Sequence, residues 1–270
     1  MNGEPRTFSE FVGQETIKKE LSAMALADSR TSVLLRGAYG SGKTTLAKIY
    51  ASSLGNYTYQ DVPNNVDHLN PDARVHVIDE IHLLKDQEVL YNQFDELTFV
   101  FATTDAQELS APFRSRCIEL TLEPYSEQEL RVILRDRATR EGINADEKAI
   151  KILASRSRGT PRTGIQLLRR VHTIARMEQV PITARYTAEQ LNEFRVYDNG
   201  FTQDDITYLR TLALADAPVS LRTLGAVLNR DRAYVQEIIE SFLLRKNFVI
   251  ITGRGRVLTD IGKEFVEEWI

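Results

Sequence analysis

Cysteine is nearly absent: Cys117 is the only one in 270 residues. That excludes an intrachain disulfide and a cysteine-based metal cluster. No apolar run approaches membrane-spanning length. The first residues, Met1-Asn-Gly-Glu-Pro-Arg6, carry no apolar core of the kind a secretory leader has. A cytoplasmic protein without membrane contact is the expectation. Positive charge is not in excess either. The net charge of −4 argues against coating nucleic acid by bulk charge, although a local basic patch remains open. There is no internal repeat and no low-complexity tract. What is present is ordinary: 42% hydrophobic and 27% charged residues, in a chain long enough for two or three domains.

Against that background one stretch stands out. Gly37-Ala-Tyr-Gly40-Ser-Gly42-Lys43-Thr44 fits the phosphate-loop template Gly-x-x-x-x-Gly-Lys-[Ser/Thr] without a mismatch. A short apolar run, Ser32–Leu35, precedes it, and a run with helical spacing, Thr45–Ala51, follows it. Strand, loop and helix in that order are the context in which the motif has meaning. Glycines let backbone N–H groups turn toward phosphate oxygens, and the helix start adds positive potential. Lys43 can reach the β- and γ-phosphates of ATP, and the Thr44 hydroxyl can sit on Mg²⁺.

Further along, Arg74–Glu80 reads as a buried strand ending in two carboxylates. Asp79 would hold through water the Mg²⁺ on which Thr44 sits, and Glu80 would polarise the attacking water. Thr98–Thr104 is a second apolar strand ending in hydroxyls. Thr104 is either a sensor of the γ-phosphate or a loop cap. Arg114-Ser-Arg116-Cys117 is either a solvated basic turn or an arginine finger offered to a neighbouring subunit. Asn56–Asp72, rich in Asn, Asp and Pro, reads as a surface connection. From Tyr125 the pattern becomes helical. Ser126 and Glu129 form a capping box, Gly142 closes that helix, Asp146–Ser155 is the next, and a third follows Gly159-Thr-Pro161-Arg162. Tyr197–Gly200 reads as a hinge. Beyond it come three helices, Thr202–Ala215, Leu221–Leu228 and Arg232–Leu244, then two short strands around Gly253-Arg254-Gly-Arg256. Those elements make a winged helix. In Arg232–Leu244, Glu237 and Glu240 would repel phosphate, while Val235, Ile238, Ile239 and Phe242 read as core. The wing, with Arg254 and Arg256, is therefore the expected DNA contact, to backbone rather than bases, the alternative being a solvated hairpin tip in a winged helix that binds protein.

Taken together, these motifs resemble the AAA+ ATPases, and within them the RuvB-like branch-migration motors, over nearly the whole chain. The resemblance implies an α/β fold: an αβα parallel-sheet ATPase domain over residues 1–124, a helical lid over 125–197, and a winged-helix DNA-binding domain over 198–270. Phe11-Val12-Gly-Gln14 resembles the nucleotide-base segment, and Val12, Tyr125 and Pro161 are implied to pack on the base. Gly37, Gly40, Gly42, Lys43, Thr44 and Thr45 are implied to line the phosphates, with Thr104 as the sensor. Ala111–Arg116 is similar to the finger segment, Arg116 being the finger and Arg114 its neighbour. Arg158-Gly-Thr-Pro-Arg162 is similar to the lid's second sensor, with Arg162 acting on the subunit's own nucleotide. The resemblance further implies ATP and Mg²⁺ as cofactors, a hexameric homo-oligomeric ring, double-stranded or Holliday-junction DNA as substrate, and a junction-binding or replication partner protein.

Three departures are visible. Only about twenty residues separate Glu80 from Thr103, so the hairpin by which such motors grip RuvA is missing or cut to a stub. Thr103–Leu109 and Ser115-Arg-Cys117 look more like clamp loaders. Glu4 stands near the family's base-contacting arginine. A loader that places a partner on DNA, or an ATP-dependent scaffold, therefore remains an alternative to the motor.

Overall fold

The computed structural model describes residues 4–61, 69–70 and 72–269, in two compact units. The first comprises residues up to 142 together with 159–162. Its centre is a parallel five-stranded sheet of order β2-β3-β4-β1-β5. The strands are β1 (Val33–Arg36), β2 (Tyr57–Asp61), β3 (Val75–Asp79), β4 (Thr98–Thr103) and β5 (Ile118–Thr121). β3 and β4 are buried at every position, and their continuous apolar runs are what a sheet covered on both faces requires. On one face lies α2 (Lys43–Leu54), packed on β1, β3 and β4, with α1 (Glu15–Leu26) against it. The other face carries Leu34, Ile78, Phe99 and Phe101, covered by Ile81, Leu84, Leu90 and Phe113 from the chain after β3 and β4. Phe99 and Phe101 stack at 5.2 Å, and Phe113 of α3 (Ala111–Arg114) lies 5.0 Å from Phe101. That packing ties the finger segment to the sheet core. Helix α4 (Glu127–Glu141) closes this unit, opened by the expected capping box at Ser126 and Glu129 and ended by Gly142 at φ 67°.

One expectation fails here. The composition from Asn56 predicts a connection, yet Tyr57–Asp61 is an edge strand paired in parallel with β3. Its β-favouring Tyr-Thr-Tyr core was hidden by the Asn and Pro around it; the rest of that expectation, residues 62–68 and 71, lies outside the described residues.

The second unit comprises residues 143–158 and 163–270. It holds α5 (Glu147–Ser155), most of α6 (Pro161–Glu178) and α7 (Ala184–Glu193), then α8 (Gln203–Ala213) and α9 (Leu221–Leu228). A helical rod follows, formed by α10 (Arg232–Tyr234), a wider π-turn segment (Val235–Glu240) and α11 (Ser241–Arg245). The antiparallel pair β6 (Val249–Thr252) and β7 (Gly255–Leu258) and a last helix, α12 (Asp260–Trp269), complete it. Tyr208, Leu209, Leu224, Val235, Ile239 and Leu243 form the buried centre of this winged helix.

The stretch expected to be a hinge is pinned instead. Arg156 donates to Asn192, to the carbonyl of Val196 and to Asp198. Arg158 donates to the carbonyl of Gly200 at 2.8 Å and pairs with the fully buried Asp205. Gly200 sits at φ 82°, and a Cβ there would lie 2.9 Å from the Arg156 carbonyl oxygen, so only glycine fits. Among the described residues, no helix is long and apolar enough to cross a membrane.

Candidate nucleotide and DNA sites

The loop between β1 and α2 does what its glycines suggest. Gly40 and Gly42 take φ of 76° and 98°, a region that strongly favours glycine. Lys43 folds back on its own loop, with Nζ 3.0 Å from the carbonyl oxygen of Gly37 and 3.2 Å from that of Ala38. Thr44 and Thr45 follow on the first turn of α2. The Thr44 hydroxyl donates to Asp79 Oδ2 at 2.5 Å, although the two residues are 35 positions apart. β3 lies one strand away from β4, which lies beside β1, so the sheet order itself brings the second motif to the loop. A hydroxyl and a carboxylate that converge in this way are hard oxygen donors suited to Mg²⁺.

Glu80, just past β3, has a left-handed backbone at φ 48°. Its Oε2 accepts from the Thr104 amide at 3.1 Å and from the Thr104 hydroxyl at 3.0 Å. His82 Nδ1 stands 3.4 Å from the same oxygen and 3.0 Å from the Thr103 hydroxyl. Thr104 is thus joined to Glu80, while Thr103 caps the loop through Asp105. One contact was not visible in the sequence. The Tyr59 hydroxyl on edge strand β2 reaches Asp79 Oδ2 at 3.4 Å. Burial and then the Asp79 charge push its pKa upward, so it remains a hydrogen-bond donor at neutral pH.

The base segment is clasped beside the loop. Gln14 donates to the Glu123 carbonyl at 2.7 Å and accepts the Glu123 amide at 3.1 Å. Phe11 and Tyr125 both come near Gly42, and Tyr125 is buried next to Gly13. Val12 is half-buried. Pro161 opens α6, and Arg162 after it leans on the loop: a Cβ at Gly40 would lie 2.7 Å from that of Arg162. The Arg162 guanidinium sits over the Tyr39 ring at 4.3 Å.

The two finger candidates part company. Arg114 is held by Glu119, Nε to Oε1 at 2.8 Å and Nη2 to Oε2 at 3.1 Å, with Arg36 on the same carboxylate. Arg116 is exposed and, among the described residues, has no acidic partner. Cys117 behind it is part-buried. Burial pushes its thiol up to about 12, so it is protonated at neutral pH. Alkylation of Cys117 at pH 7.5 by iodoacetamide is expected to run at least about tenfold slower than for a free cysteine; a faster rate would contradict the burial.

The wing requires a correction. The sequence predicts Arg256 as a DNA contact, but its guanidinium is held by Glu240, Nε to Oε1 at 2.7 Å and Nη2 to Oε2 at 3.1 Å. The Tyr208 hydroxyl adds 2.9 Å to the same carboxylate. Glu240 is therefore an internal anion under the wing, not a charge facing phosphate. Arg254 at the turn is exposed and, among the described residues, unpaired by acid.

Comparison with known proteins places this arrangement. Three family models match in sequence order: the Holliday junction DNA helicase RuvB P-loop domain over residues 4–97, the RuvB AAA lid domain over 125–197, and the RuvB C-terminal winged helix domain over 198–267. The chain belongs to the RuvB family. The RuvB subunit of the Holliday junction branch migration complex from Campylobacter fetus is 31% identical over 299 residues, covering 94% of this chain and 86% of that one. The corresponding subunit from Koribacter versatilis is 34% identical, covering 97% and 84%. The RuvB branch migration motor of Thermotoga maritima superposes with a TM-score of 0.87 at 33% identity, over 98% of both chains. The fold is that of RuvB, an αβα AAA+ domain followed by a helical lid and a winged helix, and the protein is a P-loop ATPase.

The 299-residue alignment is longer than the chain's own 270 residues, so the relative has segments that are lacking here. Between β3 and β4 there are two short 3₁₀ turns, Ile81–Leu83 and Glu88–Gln93, and no strand pair.

The wing yields a two-sided prediction. Arg256→Ala leaves Glu240 buried with only Tyr208 beside it and is expected to destabilise the winged helix by about 3–5 kcal/mol in denaturant unfolding. Arg254→Ala is expected to leave stability within about 0.5 kcal/mol. It should weaken DNA binding and reduce the slope of log K against log salt by about one.

Proposed function

We propose that this chain assembles into a hexameric ring and couples ATP hydrolysis to branch migration of Holliday-junction DNA. The observation that carries the proposal is the order of RuvB modules along one chain, P-loop half over residues 4–97, lid over 125–197 and winged helix over 198–267. A clamp loader would share the phosphate loop and the finger segment but would not be expected to share this winged helix, so the loader alternative is the weaker one. Residues 1–124 would bind the nucleotide, 125–197 would close on it, and 198–270 would touch DNA.

In this proposal the phosphates lie against the amides of Gly37–Thr44, and Lys43 leaves its loop carbonyls for the β- and γ-phosphates. Thr44 and Asp79 would hold Mg²⁺, which supplies charge neutralisation at the transferred phosphate. Glu80 takes the proton of the attacking water, and Thr104 orients that carboxylate. Arg162 acts from the same subunit and Arg116 from the next, so hydrolysis waits on assembly. The DNA contact is to phosphates through Arg254, and it is independent of sequence. The protein works in the cytoplasm. With no hairpin, it would engage a junction-binding partner differently from RuvB proteins that have one.

A synthetic four-way junction tests the proposal. Full-length protein with Mg-ATP is expected to convert it to duplex products, with hydrolysis stimulated by DNA and both activities lost in Lys43→Ala. ATP hydrolysis without strand movement, with or without a junction-binding partner, would rule out the motor.

A further inference from the structure

Arg116 is held by an aromatic ring. Its guanidinium lies 4.3 Å from the centre of the Tyr91 ring, and Nη1 donates to the Pro112 carbonyl at 2.6 Å. Tyr91 is itself fixed from several sides. Its hydroxyl is 3.0 Å from the Ser110 hydroxyl, which caps α3 by accepting the Phe113 amide at 3.3 Å. Gln87 accepts the Ser110 amide at 3.0 Å and donates to the Glu108 carbonyl at 3.1 Å. The inner part of Tyr91 packs on the cluster around Phe99, Phe101 and Phe113. The connection that stands where the hairpin would be is thereby tied to the finger helix.

We propose that Tyr91 is a positioning residue for the arginine finger, presenting Arg116 to the nucleotide of the neighbouring subunit. This rests on the reading of Arg116 as a finger acting in trans. A ring face attracts a guanidinium without neutralising it. The single carbonyl bond leaves the other N–H donors for phosphate. A carboxylate would compete with the phosphate, and Glu119 does so for Arg114. An exposed arginine loses rotamer freedom when it clamps a phosphate. Holding it over the ring beforehand removes part of that loss before the subunits meet.

Mixed assemblies of full-length chains test this. Arg116→Ala chains serve as acceptors, because they keep their own site but have no finger to give. Glu80→Gln chains serve as donors, because they keep the finger but do not turn over. With Mg-ATP and duplex DNA, the donors are expected to restore hydrolysis to the acceptors. Donors that also carry Tyr91→Leu, which keeps apolar bulk without a ring face, should restore a kcat about fivefold lower at unchanged KM. Donors with Tyr91→Phe should restore it in full. Equal rescue by the Tyr91→Leu donor would overturn the proposal, as would a Tyr91→Leu chain that no longer binds ATP at its own site. If the Glu80→Gln donor alone rescues nothing, it is the finger in trans that falls, and this role of Tyr91 with it.

Discussion

Arg116→Ala is expected to lower kcat for ATP by about 10³-fold or more, and Arg114→Ala by less than about tenfold, although the two arginines are two residues apart. The difference follows from their partners. Arg114 is held by both oxygens of Glu119, which also receives Arg36, so its charge is already met within the subunit. The hydrogen bonds to Arg114 draw the Glu119 carboxyl below its ordinary range. Glu119 therefore stays charged, and Arg114 stays occupied, across neutral and mildly acidic pH. Arg116 carries its charge on the surface over an aromatic ring. Steady-state hydrolysis at concentrations where the proposed ring would form will read the difference. Nucleotide affinity of the isolated subunit should be unchanged in Arg116→Ala, because in the proposed function the finger would act at the neighbour's site. A larger loss in Arg114→Ala than in Arg116→Ala would exchange their roles.

Glu80→Gln is expected to abolish most turnover, by about 10²–10⁴-fold, while ATP binding and assembly persist. The glutamine can still accept from the Thr104 amide and hydroxyl, as Oε2 of Glu80 does. What it cannot do is take a proton from water. Thr104→Val in the same assay should fall between wild type and Glu80→Gln, since it removes one of the two bonds that orient the carboxylate but leaves the base. Single-turnover hydrolysis with pre-bound ATP separates chemistry from binding. Turnover of Glu80→Gln within about tenfold of wild type would remove Glu80 from the role of base.

Both predictions were partly legible in the chain. The phosphate loop is a local object: three glycines, a lysine and a threonine at set spacing between a strand and a helix act through their own backbone. The capping box at Ser126 and Glu129 and the αL glycine at 142 are local for the same reason, and each stands where the sequence placed it. Edge strand β2 was missed because an edge strand half-covered by neighbours needs little hydrophobicity, and flanking Asn and Pro outweighed its tyrosines. Tyr59 was lost from the candidate site along with it.

The arginines divide sequence from structure most clearly. Charge, side-chain length and a glycine turn made Arg254 and Arg256 equivalent in the sequence. The fold separates them, because β7 lays Arg256 against Glu240 on the helical rod and leaves Arg254 at the tip. Arg158, the first residue of the second-sensor segment, is likewise consumed by Asp205, 47 positions away.

The sequence by itself determined the chemistry on offer: a phosphate loop, an Asp-Glu pair, candidate fingers, a lid and a winged helix, in an order that resembles RuvB. Each of those rests on neighbours along the chain. Only the tertiary structure decided which charges stay available. Whether an arginine meets a carboxylate, a ring or solvent depends on segments tens of residues apart being folded side by side, and no local pattern encodes that encounter.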